Sequence, residues 1–520
     1  MDATSWFADA DGDGYGDQTV TLVACTGPTA VGGDCDDADP AVNPGALDTC
    51  PDGIDNDCDG IVAVCPQTGA IDLTEADSLW DGETDNDRAG FSVAWAGEVN
   101  PASEGDARPC LGLVVGAHTA KERAEEAGAV YLLCDAPAGT HSLGEATARL
   151  LGETAGDHAG QYVAGPGDVT GDGVPDIAVG APDADQGSGV QVGAVYLVSG
   201  PVVGDVHLED ADFIVRGVEA DSSGGMIARG GDNDGDGALD LFTAAYATDY
   251  RGALAVWRGP LTGERTIDQA DATVTGEHPD DWAGEVAAAE DMDGDGLDDM
   301  GTTAQGNDTA GDRYGAAYVI LAPAMGEISL ADADWKLVGA YFGGASQFRV
   351  APGGDLDGDG LGEFLIGEEA PGPTRGASAD QYDGAVYEIG GAMGACDELE
   401  EAPTIFRGPV SYFNAYASRP ANAGDMNGDG WDDVAIGGPV WTTHATTDGA
   451  VFVVFGPSSG SIDLGAADVL WSGTLEWGMA GQSVVGAGDV DDDGCADLLV
   501  GGIGYFNYQG HAWVVGGCRG

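Results

Sequence analysis

Short apolar runs, punctuated by glycine and proline, fill the chain from residue 90 onward and come in ordered sets. A run such as GQYVAGPGD (160–168) or GQSVVGAGD (481–489) leads into an acidic loop. A second run comes after that loop and ends in small residues: IAVGAP (177–182), VAIGGP (434–439), LLVGGI (498–503). After a variable stretch comes a third: GAVYLVSGP (193–201), GALAVWRGP (252–260), GAVFVVFGP (449–457). A last segment reads ISLADADWKLVG (328–339) or SIDLGAADVLWSG (461–473). Valine, isoleucine and tyrosine between glycines favour strands over helices. Four short strands in roughly 60 residues suit one propeller blade.

The set occurs six times with an intact acidic loop. A seventh stands at the front, as GFSVAWAGEVN (90–100), LVVGA (113–117) and GAVYLLC (128–134). There Glu98 and Asn100 stand where the first and third loop residues should be, and an insertion with Pro101, Pro109 and Cys110 breaks the spacing. One blade cannot bury its own faces, so the ring must close. The expected fold is all-β, a seven-bladed propeller of four-stranded blades over residues 67–520. Closure is expected to pair segment 71–80 with strands near 482–517. Residues 1–66 form a separate Cys/Asp-rich module, too poor in large apolar residues to fold on packing alone. A stretch that short needs disulfides or metal.

The acidic loops carry the chemistry. DMDGDGLDD, from Asp291, sets Asp291, Asp293 and Asp295 at positions 1, 3 and 5 and Asp299 at position 9. Two carboxylates about 5 Å apart repel by roughly 3 kcal/mol at an effective dielectric of about 20. Something must offset that. Alternate carboxylates on a curled backbone point at one centre, the carbonyl of Leu297 joins them, and Gly296 permits the sharp turn. Such an all-oxygen cage suits Ca²⁺. The spacing is near that of an EF-hand, without its twelfth-position Glu.

The same ligand set is expected from Asp168, Thr170, Asp172, Val174 and Asp176, and from Asp232, Asp234, Asp236, Ala238 and Asp240. It recurs in Asp355, Asp357, Asp359, Leu361 and Glu363, and in Asp425, Asn427, Asp429, Trp431 and Asp433. The last set is Asp489, Asp491, Asp493, Cys495 and Asp497. Residue seven of each set offers only its carbonyl, so the Cys495 thiol is taken as incidental. In the N-terminal module DADGDGYGD supplies Asp9, Asp11, Asp13 and Asp17.

FSVAWAG, DVTGDGVPDIAVGAP and GAVYLVSG together resemble the FG-GAP repeats of integrin alpha-subunit propellers, over roughly residues 67–518. The resemblance implies Ca²⁺ in the loops at one end of the blades and ligand binding at the other. Thr170, Asn427 and Glu363 depart from the commonest acid but keep an oxygen ligand. GGDCDDADPAVNPGALDTCPDGIDNDCDGIV (32–62) resembles a metal-binding motif of many secreted or surface proteins of delta-proteobacteria, and also the Ca²⁺-stapled thrombospondin type 3 repeat.

Charge narrows the partners. Lys+Arg 17 against Asp+Glu 91 leaves a net charge of −74, of which six divalent cations would offset little. That surface argues against nucleic acid and anionic membrane. Its surplus reads as solubility or a saline habitat. Five of the ten cysteines lie in the first 65 residues, which reads as disulfides in an oxidising compartment, with Cys25–Cys35 and Cys50–Cys58 the expected pairs and zinc the competing reading. Cys110 and Cys134 border two strands of blade one and are a further candidate pair.

The first residues show no signal peptide, and no stretch approaches the roughly 18 apolar residues of a membrane span. The setting is nonetheless read as extracellular or cell-surface, with the chain a fragment or exported by another route.

No catalytic residues stand out. GPSSG (456–460) matches G-x-S-x-G but leads into a strand-like segment, so it reads as a turn and not a nucleophile elbow. Because strands alternate direction, the loops after the second strands lie opposite the acidic loops. There Trp441, His444, Tyr505, Phe506 and Tyr508 are candidate contacts for a protein or glycan ligand, whereas Trp282 and Phe91 are expected to pack between blades. The function expected is binding or adhesion. The alternatives are a lectin-like protein and a polysaccharide-degrading enzyme, the latter hinted at only by Arg375, Tyr382 and His444.

Overall fold

The computed structural model describes residues 4–24, 29, 31, 33–44, 58, 65–100, 110–185, 190–218, 226–228, 230–245, 250–288, 291–308, 315–339, 348–369, 384–390, 398–409, 417–442, 447–475, 478–504 and 508–519. Among them no α-helix occurs; the only helical turns are single 3₁₀ turns. The chain divides into two compact units. One comprises Met1–Gln67 with Asp492–Cys495 and Cys518–Gly520, the other Thr68–Asp491 with Ala496–Gly517.

The larger unit is a seven-bladed propeller. Blade one consists of Ser92–Trp95, Leu113–Ala117, Ala129–Leu133 and Ala148–Leu151, each antiparallel to the next. Blades two to six repeat the pattern with first strands Tyr162–Gly167, Met226–Ala228, Ala283–Ala288, Phe348–Gly354 and Arg419–Gly424. Blade seven takes Ser483–Gly488, Asp497–Gly502 and His511–Val515 from the end of the chain and Ser78–Asp81 from its beginning. The closure expected from sequence is therefore present. Asp81 pairs with His511, Trp80 with Ala512 and Ser78 with Val514, and Nδ1 of His511 lies 2.7 Å from Asp81 Oδ1.

Position in the blade explains composition. Second and third strands such as LVVGA and AVYLL are buried along their whole length, because neighbouring blades cover both faces. They consequently read as continuous apolar runs and not as alternation. First strands such as YVAGPG and SVVGAG are small-residue strands. Their pairing slips just before the acidic loop, between Ala164 and Gly167, Asn422 and Gly424, and Gly486 and Gly488. Such bulges bend the strand and re-aim the chain as it enters the loop.

The fourth segment holds more than the expected single strand. It begins with a short strand, as at Gly326–Ser329, that runs parallel to the outer strand of the preceding blade, Ala272–Thr275. A single 3₁₀ turn, Leu330–Asp332, comes next with its leucine buried. Only then does the blade's own outer strand, Trp335–Val338, begin. The unpaired edge that an outer strand would expose is thus covered by the next blade. The GPSSG turn precedes such a strand, Gly460–Asp463, and no helix, as expected for a turn.

Blades are also zipped at glycines. Gly252 immediately precedes the third strand of blade three, Ala253–Trp257, at φ +80°, and a Cβ there would lie 1.8 Å from the carbonyl oxygen of Ala283 in blade four. Gly252→Ala combines a left-handed backbone with a backbone clash. It should lower unfolding free energy by about 3 kcal/mol, read as an earlier urea midpoint, and a loss under about 1 kcal/mol would mean the junction yields easily.

In the smaller unit Thr4–Ala8 pairs antiparallel with Asp17–Ala24, and Cys65–Pro66 pairs with Cys518–Arg519. The expected N-terminal disulfides are corrected. Cys35 bonds Cys58, with Cα atoms 5.6 Å apart, so neither is left for its nearer neighbour in sequence. A backbone bridge between Asp17 and Asp34 fixes the chain just before Cys35, and spacing alone carries no such information. Cys25 and Cys50 lie outside the described residues. Cys110–Cys134 forms as expected. The reading of Cys495 as incidental is also corrected, because it bonds Cys518. A loop position that contributes only its carbonyl leaves the side chain available for another bond.

Candidate metal centres

Each intact loop joins the first and second strands of its blade. Its first aspartate is the hub of the turn. In blade four Asp291 Oδ1 accepts from the backbone N–H groups of Gly294 (2.6 Å) and Asp295 (3.1 Å), and Oδ2 accepts from Gly296 (2.7 Å). Asp295 Oδ1 accepts from Leu297 N–H at 2.9 Å, which curls position seven inward. The bonds from the glycines at positions four and six recur to Asp168, Asp232, Asp355 and Asp425. In blade six Asn427 replaces the carboxylate at position three and its Nδ2 donates to Asp429 at 3.0 Å.

Carboxylate oxygens converge as the spacing predicts. Asp291, Asp293 and Asp295 each place an oxygen within 4.8 Å of the others, as do Asp232 with Asp234 and Asp236, and Asp355 with Asp357 and Asp359. In blade two the group is Asp168, Asp172 and Asp176, with Thr170 donating its hydroxyl to Asp176 at 3.1 Å. Such oxygen-only donor sets fit a hard divalent cation.

The ninth residue is built differently from the others. Asp299 is buried, with Oδ2 accepting from Met292 N–H (2.9 Å) and Oδ1 from Ala322 N–H (2.8 Å). Asp240, Asp433 and Asp497 repeat this double bond to position two and to the connection after the third strand. Burial pushes Asp240 and Asp299 up to about 6 and Asp176 and Asp433 up to about 7, against those backbone donors. Glu363, the longer replacement in blade five, is pushed up to about 8 by burial. Its Oε2 accepts from Leu356 N–H at 2.6 Å, while buried Oε1 has no hydrogen-bond partner. An orphaned buried carboxylate oxygen fits a loop that closes on a cation.

Neighbouring loops touch. The fourth-position glycine faces the seventh side chain of the next loop: Gly235 faces Leu297, Gly294 faces Leu361 and Gly358 faces Trp431. Position seven, whose carbonyl was the expected ligand, thus also seats one loop on another. In blade one the insertion 101–109 lies outside the described residues. Asn100 there makes paired bonds to Val202 of blade two, from Nδ2 at 2.8 Å and to Oδ1 at 2.6 Å.

In the smaller unit Asp9, Asp11 and Asp13 converge within 4.8 Å. Asp17 instead opens the second strand. Asp34, only 6% exposed, stands close enough to Asp13 and Asp11 that they add to the rise which burial imposes on its carboxyl. Oδ2 atoms of Asp11, Asp13 and Asp34 all lack hydrogen-bond partners. Asp34 escapes the sequence reading, where it belongs to the adjoining cysteine motif. The Cys35–Cys58 bond removes two thiols from the competing zinc reading.

Of the residues expected to contact a ligand, His444, Tyr505 and Phe506 lie outside the described residues, as do Arg375 and Tyr382. Trp441 is half-buried, its ring 5.5 Å from that of Phe452. Tyr508 lies under the guanidinium of Arg88, 5.1 Å from its ring centre. Phe91 packs on His118 at 4.5 Å. Trp282 departs from expectation: it is 37% exposed, beside Tyr250, which is 53% exposed.

One backbone device sets out these side chains. Arg88, His158 and Trp282 have φ of 54°, 56° and 52°, and each donates its N–H to a second left-handed residue, Tyr508, Glu126 and Tyr250 respectively. A buried aspartate before each, Asp87, Asp157 or Asp281, caps the turn. Left-handed non-glycine residues in such frames are uncommon and mark sites worth inspection.

Comparison with known proteins agrees with this architecture. The chain carries FG-GAP repeats at residues 161–198 and 419–454, and residues 34–63 match a family described as "Putative metal-binding motif". It is similar to integrin alpha-5 of Xenopus laevis, 33% identical over 156 residues, which is 29% of this chain and 14% of that protein. It is also similar to integrin alpha pat-2 of Caenorhabditis briggsae, 28% identical over 272 residues (48% and 21%), and to that of Caenorhabditis elegans, 27% over 263 residues (47% and 20%). The matched part thus spans about a fifth or less of these relatives.

Proposed function

We propose that this chain is an extracellular or cell-surface binding module whose propeller is stiffened by Ca²⁺ in the loops of blades two to seven, and that it acts in adhesion or partner binding, not in catalysis. The observation that carries the reading is the contrast between the two ends of the blades. At one end the same carboxylate turn recurs with hardly a change. At the other, one backbone frame presents different side chains: Arg88 with Tyr508, His158 with Glu126, Trp282 with Tyr250. Constant support with variable display suits recognition.

Ca²⁺ is favoured over other metals because the donors are carboxylates, carbonyls and a hydroxyl. Disulfides at Cys35–Cys58, Cys110–Cys134 and Cys495–Cys518 favour an oxidising compartment. Among the described residues no helix is long and apolar enough to cross a membrane.

Carbohydrate recognition is the second reading, favoured by the exposed Tyr250 and Trp282, which are joined by a backbone hydrogen bond. Binding of the whole chain to a polysaccharide panel and to immobilised matrix proteins, with Ca²⁺ and with chelator, tests both. Glycan binding lost in Trp282→Ala but kept in Trp441→Ala supports the lectin reading. Saturable protein binding lost on chelation supports adhesion. Binding to neither class in Ca²⁺ would remove the proposal.

A further inference from the structure

The loops are alike in fold but not in charge. At the end of five of the third strands a backbone N–H caps the aspartate that precedes the fourth: Ser199 to Asp212, Arg258 to Asp271, Leu321 to Asp334, Phe455 to Asp468 and Gly516 to Asp77. This shared bond makes the five positions equivalent. Of the five, only Arg258 carries a charged side chain. Its Nε lies 3.0 Å from Oδ2 of Asp234, the third-position carboxylate of its own blade's loop. Its Nη2 donates to the carbonyl of Ala324 in blade four at 3.1 Å.

A second side chain works in parallel. Asn233, fully buried, donates from Nδ2 to the carbonyl of Asp298 at 2.9 Å and accepts the N–H of Ala324 at 2.9 Å. Asp232 N–H donates to Asp298 Oδ2 at 2.7 Å. Blade three's loop is therefore fastened to blade four by side chains as well as by its own turn. Among the described residues no lysine or arginine pairs with the carboxylates at positions one, three, five and nine of the loops of blades two, four, five or six.

We infer that Arg258 is a built-in counter-cation for the blade-three loop, which therefore binds a divalent cation more weakly than the loops of blades two, four, five and six and holds its junction closed after they are emptied. The inference rests on reading the loops as metal sites. A guanidinium stays charged at any pH a protein survives. Arg258 and Asp234 are about three-quarters buried, so solvent screens the pair only in part. A divalent ion among Asp232, Asp234 and Asp236 would be repelled by that fixed charge and would compete for Asp234 Oδ2. At roughly 6 Å the repulsion corresponds to at least on the order of 100-fold in affinity, even at an effective dielectric of about 40, twice the usual value.

Native mass spectrometry of the full chain across a Ca²⁺ titration tests this through differences between variants. Asp295→Ala should remove one ion at low Ca²⁺, whereas Asp236→Ala, the same position in blade three, should remove none. Arg258→Gln should add one ion at low Ca²⁺, and Asp236→Ala in that background should remove it again. Arg258→Lys, which keeps the charge, should load like the wild type, so a gain confined to Arg258→Gln is not a folding artefact. An unchanged or smaller ion count in Arg258→Gln, with Asp295→Ala still losing one, overturns the inference alone. If Asp295→Ala changes nothing, the reading of the loops as metal sites falls first.

Discussion

Chelation at neutral pH should lower the melting temperature of the chain by at least about 10 °C. Each ion bound to the folded chain alone contributes about 2.7 kcal/mol when free Ca²⁺ is a hundredfold above Kd, and several loops share the effect. Removing the ions also restores repulsion among carboxylates held within 4.8 Å of one another. The loss should spread beyond the loops, because Gly358 seats Trp431 of the next loop and Gly294 seats Leu361. Differential scanning fluorimetry in Ca²⁺ and in EGTA measures it. A melt unmoved by EGTA would sink the structural role of the metal, leaving hydrogen-bonded turns that need no ion.

Much of this is legible in the amino-acid order, for a physical reason. Four strands, two glycines and alternate aspartates are local signals, and each recurs often enough to be read from its copies. The ring closure through Ser78–Asp81 comes from counting, since blade seven lacks its fourth strand at the chain's end. The features that escape such a reading depend on contacts between residues far apart along the chain. The N–H of Ala322 reaches Asp299, and Arg258 turns back on Asp234. Cys495 meets Cys518 across a separation of 23, and nothing in either neighbourhood marks the partner.

The acidic surplus serves more than solubility. Asp77, Asp212, Asp271, Asp334 and Asp468 cap the turn into five of the outer strands, and Asp87, Asp157 and Asp281 cap three of the opposite connections. These eight carboxylates have backbone partners, so solubility and a saline habitat account for less of the charge than composition implies. Trp282 defies its residue type for a related reason. Its apolar character argues for packing, but its left-handed backbone at φ 52° turns it outward. Residue type alone does not reveal that φ.

The metal-free chain should be more stable near pH 5 than near pH 8, and Ca²⁺ should reverse that order. Asp176, Asp240, Asp299, Glu363 and Asp433 have folded values of about 7, 6, 6, 8 and 7, raised by burial from 3.8 for aspartate and 4.5 for glutamate. The folded apo chain therefore holds these protons more tightly than the unfolded one. By linkage the resulting stability is fully present below about pH 4 and is lost as pH rises through 6 to 8. Between pH 8 and pH 5 a carboxyl moved from 3.8 to about 6 accounts for roughly 1.4 kcal/mol and one moved to about 7 for roughly 2.6, so even partial relaxation of five such groups leaves a large slope. Glu368 and Glu388, raised by burial to about 8 and 7, add to it. His118, lowered by burial to about 3, opposes it below pH 6.5 as one group against several. A bound cation changes the sign because it competes with those protons and holds the loop carboxylates ionised, so the loaded chain gains stability as pH rises from 5 to 7. Urea midpoints at pH 5 and 8, in EGTA and in excess Ca²⁺, give the four values needed. If the chelated chain proves firmer at pH 8, the buried ninth-position carboxylates ionise without cost, and the loops hold their shape through hydrogen bonds alone.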